Sequence, residues 1–239
     1  MINEPHYFLP DEHGFKGQIL DDWLALGYYR MQHMIFTTHY TALGPAKENM
    51  PVFWLRTEVK KIHENKAAFA IRKKCTSFIV KIKKAAITME LEELYSIYKN
   101  HVDFCASATC WEYLHLDEFE NPYDSWMIEV RDGSILIAVG FFDKGENAIS
   151  GILNFYHPAY NKFSLGKYLI LQKIDQALAN NIPYYYTGYI STAITKFDYK
   201  LFPDVNAIEV YLPVEKTWMA YDSLGKEKLK EYSMNHPVQ

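Results

Sequence analysis

Three stretches in the second half of the chain concentrate side chains able to do chemistry: Asn154 to Pro158 (NFYHP), Ser164 to Leu169 (SLGKYL) and Tyr184 to Lys200 (YYYTGYISTAITKFDYK). In the third, Tyr186 and Tyr189 flank Gly188 at what reads as a strand end. A tyrosine hydroxyl donates to a developing oxyanion, its ring stacks a base, and glycine lets a ligand or another backbone come close. Tyr189 is therefore expected to line a site. For Tyr185 and Tyr186 the alternative is alternation across a sheet, which puts one of them in the core. Lys196 and Lys200 suit an acidic side chain or a phosphate, or are solvated lysines. His157 has a ring of the type that titrates near neutrality, so it is a candidate base as well as a structural residue before Pro158. Ser164, Leu165 and Gly166 open a helix, where free N–H groups hold a phosphate or where Ser164 acts only as a cap.

Other chemistries find little support. No Ser-His-Asp or Cys-His arrangement is visible. Cys75, Cys105 and Cys110 are odd in number and hold no CxxC, which argues against a disulfide framework. Neither Cys105-x4-Cys110 nor His33, His39 and His63 make a metal spacing, and no metal or other cofactor is expected.

Charge is unevenly placed. Net charge is −4, yet ten basic residues fall between Arg56 and Lys84 against only Glu58 and Glu64. The stretch from Glu112 to Glu129 is acidic. The asymmetry suggests a basic face for an anionic partner, with Arg72, Lys73 and Lys74 at its centre, or an ordinary solvated surface. The chain is 49% hydrophobic and 16% aromatic, so it reads as folded throughout, with a large core and about one to two domains. No apolar run approaches the roughly 18 residues that span a membrane. The opening residues are polar and hold Pro5 and Pro10, so no signal peptide and a cytoplasmic location are expected.

Patterning predicts the elements that position these groups. A helix is expected over Leu20 to Leu26, one strand over Tyr28 to Tyr40, a loop over Ala42 to Pro51 and a returning strand over Val52 to Val59. Phe78 to Ile82 reads as a strand, Thr88 as the cap of a helix bearing Leu91, Leu94, Tyr95 and Tyr98 on one face, and Thr109 to Leu114 as a short helix. Strands follow over Trp126 to Val130, Ser134 to Phe142 and Ala148 to Tyr156, with Asp132-Gly133 a hairpin turn. A helix from Ser164 to about Ala179 precedes strands over Ile182 to Gly188 and Ala207 to Leu212. The expected class is α+β: a GNAT-like mixed, mainly antiparallel sheet with flanking helices over 86–239, and a smaller N-terminal α/β portion over 1–85 carrying the basic segment.

In order and spacing the three stretches resemble the C-terminal domain of arginyl- and leucyl-tRNA–protein transferases, whose pattern is similar to Y-x-x-D-P, S-L-G-x-Y, Y-Y-x-G-Y and K-M-x-Y-K. The last two are Tyr185-Tyr186-Thr187-Gly188-Tyr189 and Lys196-Phe197-Asp198-Tyr199-Lys200 here. Gly27-Tyr28-Tyr29-Arg30 resembles the family's G-[WF]-x-R, and Arg72-Lys73-Lys74 sits where the family carries a basic cluster. The chain departs from the pattern at His157, which stands for the aspartate, and near Ile194, where the family has a cysteine. It also has no cysteine between Thr41 and Pro51, so any metal or redox role of the family's cysteine cluster is not carried over. The resemblance implies an enzyme that moves arginine or leucine from aminoacyl-tRNA to protein N-termini, beginning with Asp or Glu, in tagging for degradation. It implies Tyr189 and His157 as catalytic; Tyr156, Ser164, Leu165, Gly166, Tyr186, Gly188, Lys196, Tyr199 and Lys200 as substrate-binding; and Arg30, Arg72, Lys73 and Lys74 as tRNA-binding, although Arg30 on the entry strand is read equally as binding a phosphate or pairing with an acid. The ester on tRNA is already activated, so positioning and oxyanion donors suffice. Competing readings are an acyl-CoA-dependent acyltransferase, for which a full glycine-rich loop is missing, and a non-catalytic binder of tRNA or N-termini.

Overall fold

The computed structural model describes residues 6–44, 47–103, 106–116 and 121–236. Cys105, Asp117, Glu118 and Glu120 lie outside the described residues. In chain order the elements are β1 (His6–Phe8), α1 (Gln18–Ala25), β2 (Tyr29–Met31), β3 (Met34–Thr37), β4 (Tyr40–Leu43), β5 (Glu48–Glu58), α2 (Lys66–Lys74), β6 (Ile79–Lys84), α3 (Met89–Lys99) and α4 (Cys110–Leu114). They continue as β7 (Ser125–Asp132), β8 (Ile135–Lys144), β9 (Ala148–Tyr156), α5 (Leu165–Ala179), β10 (Tyr184–Ser191), β11 (Ile208–Leu212), β12 (Thr217–Ala220) and α6 (Tyr221–Asn235).

Local sequence explains most boundaries. The hydroxyls of Thr88 and Thr109 accept from the amides of Leu91 and Glu112 and so cap α3 and α4. Asn65 caps α2 in the same way. The β7–β8 hairpin forms as expected, but its two turn residues are Gly133 and Ser134, since Asp132 still pairs with Ile135. The single strand expected over Tyr28 to Tyr40 is instead two short ones, because Gln32 takes a left-handed backbone (φ 56°) and turns β2 back onto β3; β4 begins only at Tyr40. The expected loop over Ala42 to Pro51 is largely a hairpin: β4 pairs with the first residues of β5, Tyr40 opposite Pro51 and Leu43 opposite Glu48.

Nine strands form one sheet in the order β12-β11-β5-β10-β9-β8-β7-β6, with β4 added on β5. Every pairing is antiparallel except β9 with β10, so the class is α+β with a mixed, mainly antiparallel sheet. β5 and β6 come from before residue 85, and β5 sits between β10 and β11. The two portions of the sequence therefore share one sheet. A small second sheet, β1-β3-β2, stands beside it.

The sheet is covered on both faces, and the alternation of each strand decides what meets which cover. α5 and α2 bury Leu169, Ile174 and Ile71 with Ile128, Val130 and Ile137. α3 and α4 bury Leu91, Leu94 and Leu114 with Met127, Val139, Phe141 and Phe155. α1 and the small sheet enclose Tyr29, Trp54 and Tyr186. α6 packs Leu229 and Tyr221 against Phe53, Ile190 and Val210.

Three charged groups, Arg30 and Lys173 buried and Arg72 half-buried, tie the layers together. Arg30 donates to Asp143 (2.9 Å), Ser125 (2.8 Å) and the carbonyls of Leu114 and Gln32, with its guanidinium over the Tyr123 ring. Burial pushes the Asp143 carboxyl up, and the Arg30 guanidinium pulls it back. Arg72 clamps Glu64 and Asp175, joining α2 to α5. Lys173 reaches from α5 to Asn154 Oδ1 at 2.8 Å, and burial pushes its ammonium down to about 7.

Candidate functional site: a tyrosine cleft between two parallel strands

β9 and β10 run parallel for only three pairs, Tyr184–Tyr186 against Ala148–Ser150. Beyond that point β9 stays with β8 as far as Tyr156, and β10 stays with β5 as far as Ser191. The register of β10 shifts between Tyr186 and Gly188, a bulge that helps to part the strands. The segment Thr195–Leu201 follows β10 and packs back onto it, which brings Tyr199 and Lys200 to the opening.

Five tyrosines from five segments meet there. Burial first, and then Tyr98, Tyr113, Tyr189 and Tyr156 in turn, push the Tyr199 hydroxyl up. Tyr98, on α3, is pushed up to about 12 by burial and then by Tyr156 and Tyr113. Its ring lies 5.8 Å from that of Tyr156. Tyr199 and Tyr113 stay 42% and 39% exposed, so the cleft is open to ligands. Tyr189 is half-buried, edge-on to Trp54 and tilted against Phe197, at 5.3 Å from each.

Lys200 sits among these rings. Its Nζ donates to the Tyr189 carbonyl at 2.9 Å and lies 4.6 Å from the Tyr189 ring centre and 5.2 Å from that of Phe197. Gly188 makes the room: it has φ +97°, and a β-carbon on it would lie 2.9 Å from the Lys200 Nζ. Burial pushes the Lys200 ammonium down to about 7. Among the described residues Lys200 forms no ion pair. At the mouth, Lys196 pairs with Asp103 at 2.5 Å, linking the Thr195–Leu201 segment to the chain just beyond α3.

The structure thus brings Tyr156, Tyr189, Tyr199, Lys200 and Gly188 together. Gly166 adjoins them, since a β-carbon there would touch the Tyr156 ring at 3.4 Å. Ser164 is exposed in a left-handed conformation (φ 55°), and its side chain makes no capping bond to α5, contrary to the cap expected of it. Leu165 is fully buried in the core. Tyr186 is also core: it packs edge-on to Tyr29 and Trp218, on the face opposite Tyr185. His157 caps the turn after β9, with Nδ1 accepting from the Ala159 amide at 3.2 Å. Arg30 and Arg72 are held in the internal ion pairs above, whereas Lys73 and Lys74 stand exposed at the end of α2. Tyr98 and Tyr113 escaped the sequence reading. Helical spacing gave Tyr98 to a core face, and nothing local marks Tyr113.

A hollow of about 980 Å³ lies at the far end of β8, bordered by Lys84, Ser125 and Lys144. None of the motif residues lines it. Among the described residues no group of three or more His, Cys, Asp or Glu could hold a metal, and no helix is long and apolar enough to cross a membrane.

Residues 60–203 match the family described as "Arginine-tRNA-protein transferase, C terminus", which is more than half of the chain and includes every element of the cleft. The chain belongs to that family. Among similar proteins, an aspartate/glutamate leucyltransferase of Paracoccus denitrificans is 30% identical over 139 residues, 50% of this chain and 48% of that protein. One from Methylobacillus flagellatus is 26% identical over 202 residues, 84% of this chain and 77% of that protein. The matched stretch spans half or less of the first six relatives' own length. The solved structure of L-PGS from Bacillus licheniformis covers 57% of this chain, and 46% of its own is covered, at 11% identity and TM-score 0.40. Tyr98, Tyr113, Tyr156, Gly188, Tyr189, Tyr199 and Lys200 all lie within the matched residues.

Proposed function

We propose that the chain transfers an amino acid from charged tRNA to the N-terminal α-amine of proteins beginning with Asp or Glu, marking them for degradation in the cytoplasm. Leucine is the favoured donor. The observation that carries this reading is that the family match falls on the residues that build the cleft. The printed names of the relatives support leucine and the acidic acceptors. The short parallel pairing of β9 and β10 and their parting at a bulge support a GNAT-like sheet, with the reacting ester in the opening.

In this reading the terminal adenine stacks on the tyrosine rings, at about 1–3 kcal/mol per base. Lys196 exchanges Asp103 for the acidic side chain of the acceptor, both being carboxylates. Lys73 and Lys74 meet the tRNA backbone. Arg72 is reserved for Glu64 and Asp175, so the basic segment offers less free charge than its composition suggests.

The tRNA half of the reading is tested by reversing Lys73 and Lys74 to Glu and titrating charged tRNA at several salt concentrations. The double variant is expected to bind more weakly and to flatten the plot of log K against log salt, since each lost phosphate contact removes a released counterion. Its thermal midpoint should hardly change, because both side chains are exposed. An unchanged affinity and slope would leave these lysines as solvated surface.

A further inference from the structure

We propose that Lys200 is the catalytic proton carrier of the cleft, taking a proton from the attacking α-amine and returning it to the leaving ribose oxygen. The inference rests on the transfer reaction proposed above and adds a named acid–base group to it.

The placement argues for this role. One N–H of Lys200 is anchored on the Tyr189 carbonyl at 2.9 Å, which fixes the nitrogen at the point where β10 leaves β9. Gly188 contributes no side chain, so the nitrogen is seated against bare backbone. Its other neighbours are the faces of Tyr189 and Phe197. The nitrogen is part-buried in the cleft where the ester would lie, with no carboxylate against it among the described residues. A lysine that gives up its proton near neutrality needs such a setting, removed from carboxylates and partly from water. The ionisable groups of the cleft are Tyr189 on β10, Tyr156 on β9, Tyr98 on α3, Tyr113 on α4 and Tyr199 beside Lys200. The tyrosines whose hydroxyls are shifted are all pushed up, hence neutral at pH 7. The nearby charges, Lys196 with Asp103 and Asp198 with Lys226, are already paired. Desolvation therefore dominates at Lys200 and pushes its ammonium down to about 7.

The step balances without another reagent. The neutral acceptor amine adds to the ester carbonyl, and an N–H proton passes to the Lys200 nitrogen. The tetrahedral adduct collapses to an amide, the carbon–oxygen bond to the ribose breaks, and the Lys200 ammonium protonates the departing oxygen. Lys200 ends as it began.

The test follows transfer of labelled leucine from charged tRNA to an Asp-initiated peptide across pH 5.5–9, with unmodified protein, Lys200→Arg and Lys200→Met. Two groups must be neutral, Lys200 near 7 and the acceptor amine at about 7.7–8.0. For the unmodified protein, log kcat/KM is therefore expected to rise with a slope of two below pH 7. Arginine keeps the charge and its hydrogen bonding but gives up no proton in this range. Lys200→Arg should fall by about 10²–10⁴ and show a slope of one, with charged-tRNA affinity and thermal midpoint near those of the parent. Lys200→Met should lose as much activity while staying folded. A slope of one in the unmodified protein, or either variant within about threefold of it, overturns the assignment. Absence of transfer by the unmodified protein overturns the reading on which the assignment rests.

Discussion

Replacing Arg30 by Met is expected to lower the unfolding free energy by about 3–5 kcal/mol, because it leaves Asp143 buried without its counter-charge. Asp143 is fully buried, and its Oδ2 already has no hydrogen-bond partner. The same change strips the Leu114 and Gln32 carbonyls of their donor. Those bonds join β2, α4 and β8, so their loss loosens the N-terminal cover as a whole. Folded domains hold about 5–15 kcal/mol in all, so the loss should appear as a large fall in the urea midpoint. The double variant Arg30→Met, Asp143→Leu should recover part of it, because the orphaned charge is gone. Charged-tRNA affinity per folded molecule should stay constant, which separates this structural role from the phosphate contact that sequence alone suggests. A stability change under about 1 kcal/mol, or a selective loss of tRNA binding, would refute the structural assignment.

Gly188→Ala is expected to slow transfer by about 10²-fold or more while leaving a folded protein. The substitution places a β-carbon 2.9 Å from the Lys200 nitrogen and imposes φ +97° on a residue with a side chain. Backbone strain of this kind costs about 1–3 kcal/mol. The nearest atom is the tip of a flexible side chain, so Lys200 gives way and releases the Tyr189 carbonyl. A displacement of about 1 Å at a reacting group costs on the order of 10²-fold in rate. If Gly188 acts through Lys200, adding Lys200→Met to Gly188→Ala should slow transfer little beyond Lys200→Met alone, the non-additivity of residues that work as a unit. Full transfer activity in Gly188→Ala, or strict additivity with Lys200→Met, would detach the glycine from the lysine.

The sequence carried the second half of the fold well and the first half poorly, for physical reasons. The meander of β7, β8 and β9 announces itself through alternation and a two-residue turn, and α3 through a threonine cap and a one-sided apolar face. These are local signals. β2 and β3 look like one strand because aromatic and β-branched composition says nothing of a left-handed residue at Gln32. α2 was read only as a run of charge, although Asn65 stands at its start as a cap. The site divided in the same way. Gly188, Tyr189, Tyr199 and Lys200 were legible because one short segment supplies them all. Tyr98 and Tyr113 come from helices roughly a hundred residues away, and only the parting of β9 from β10 brings them in. For Arg30 a phosphate contact and an acid partner were both open, and for Arg72 a basic face or ordinary surface, because an arginine's sequence neighbours do not reveal whether its carboxylate waits elsewhere in the fold. For Arg30 that partner is Asp143, and for Arg72 it is Glu64 with Asp175.

The central claim is transfer to an α-amine, and mass spectrometry of the acceptor tests it most directly. The protein is incubated with leucyl-tRNA and peptides beginning Asp, Glu, Ala or Lys, together with an Asp peptide whose α-amine is acetylated. The account predicts one added leucine residue at the N-terminus of the Asp and Glu peptides, abolished by acetylation and by ribonuclease. Unmodified Asp and Glu peptides in the presence of intact leucyl-tRNA, or leucine added to the acetylated peptide, would contradict it.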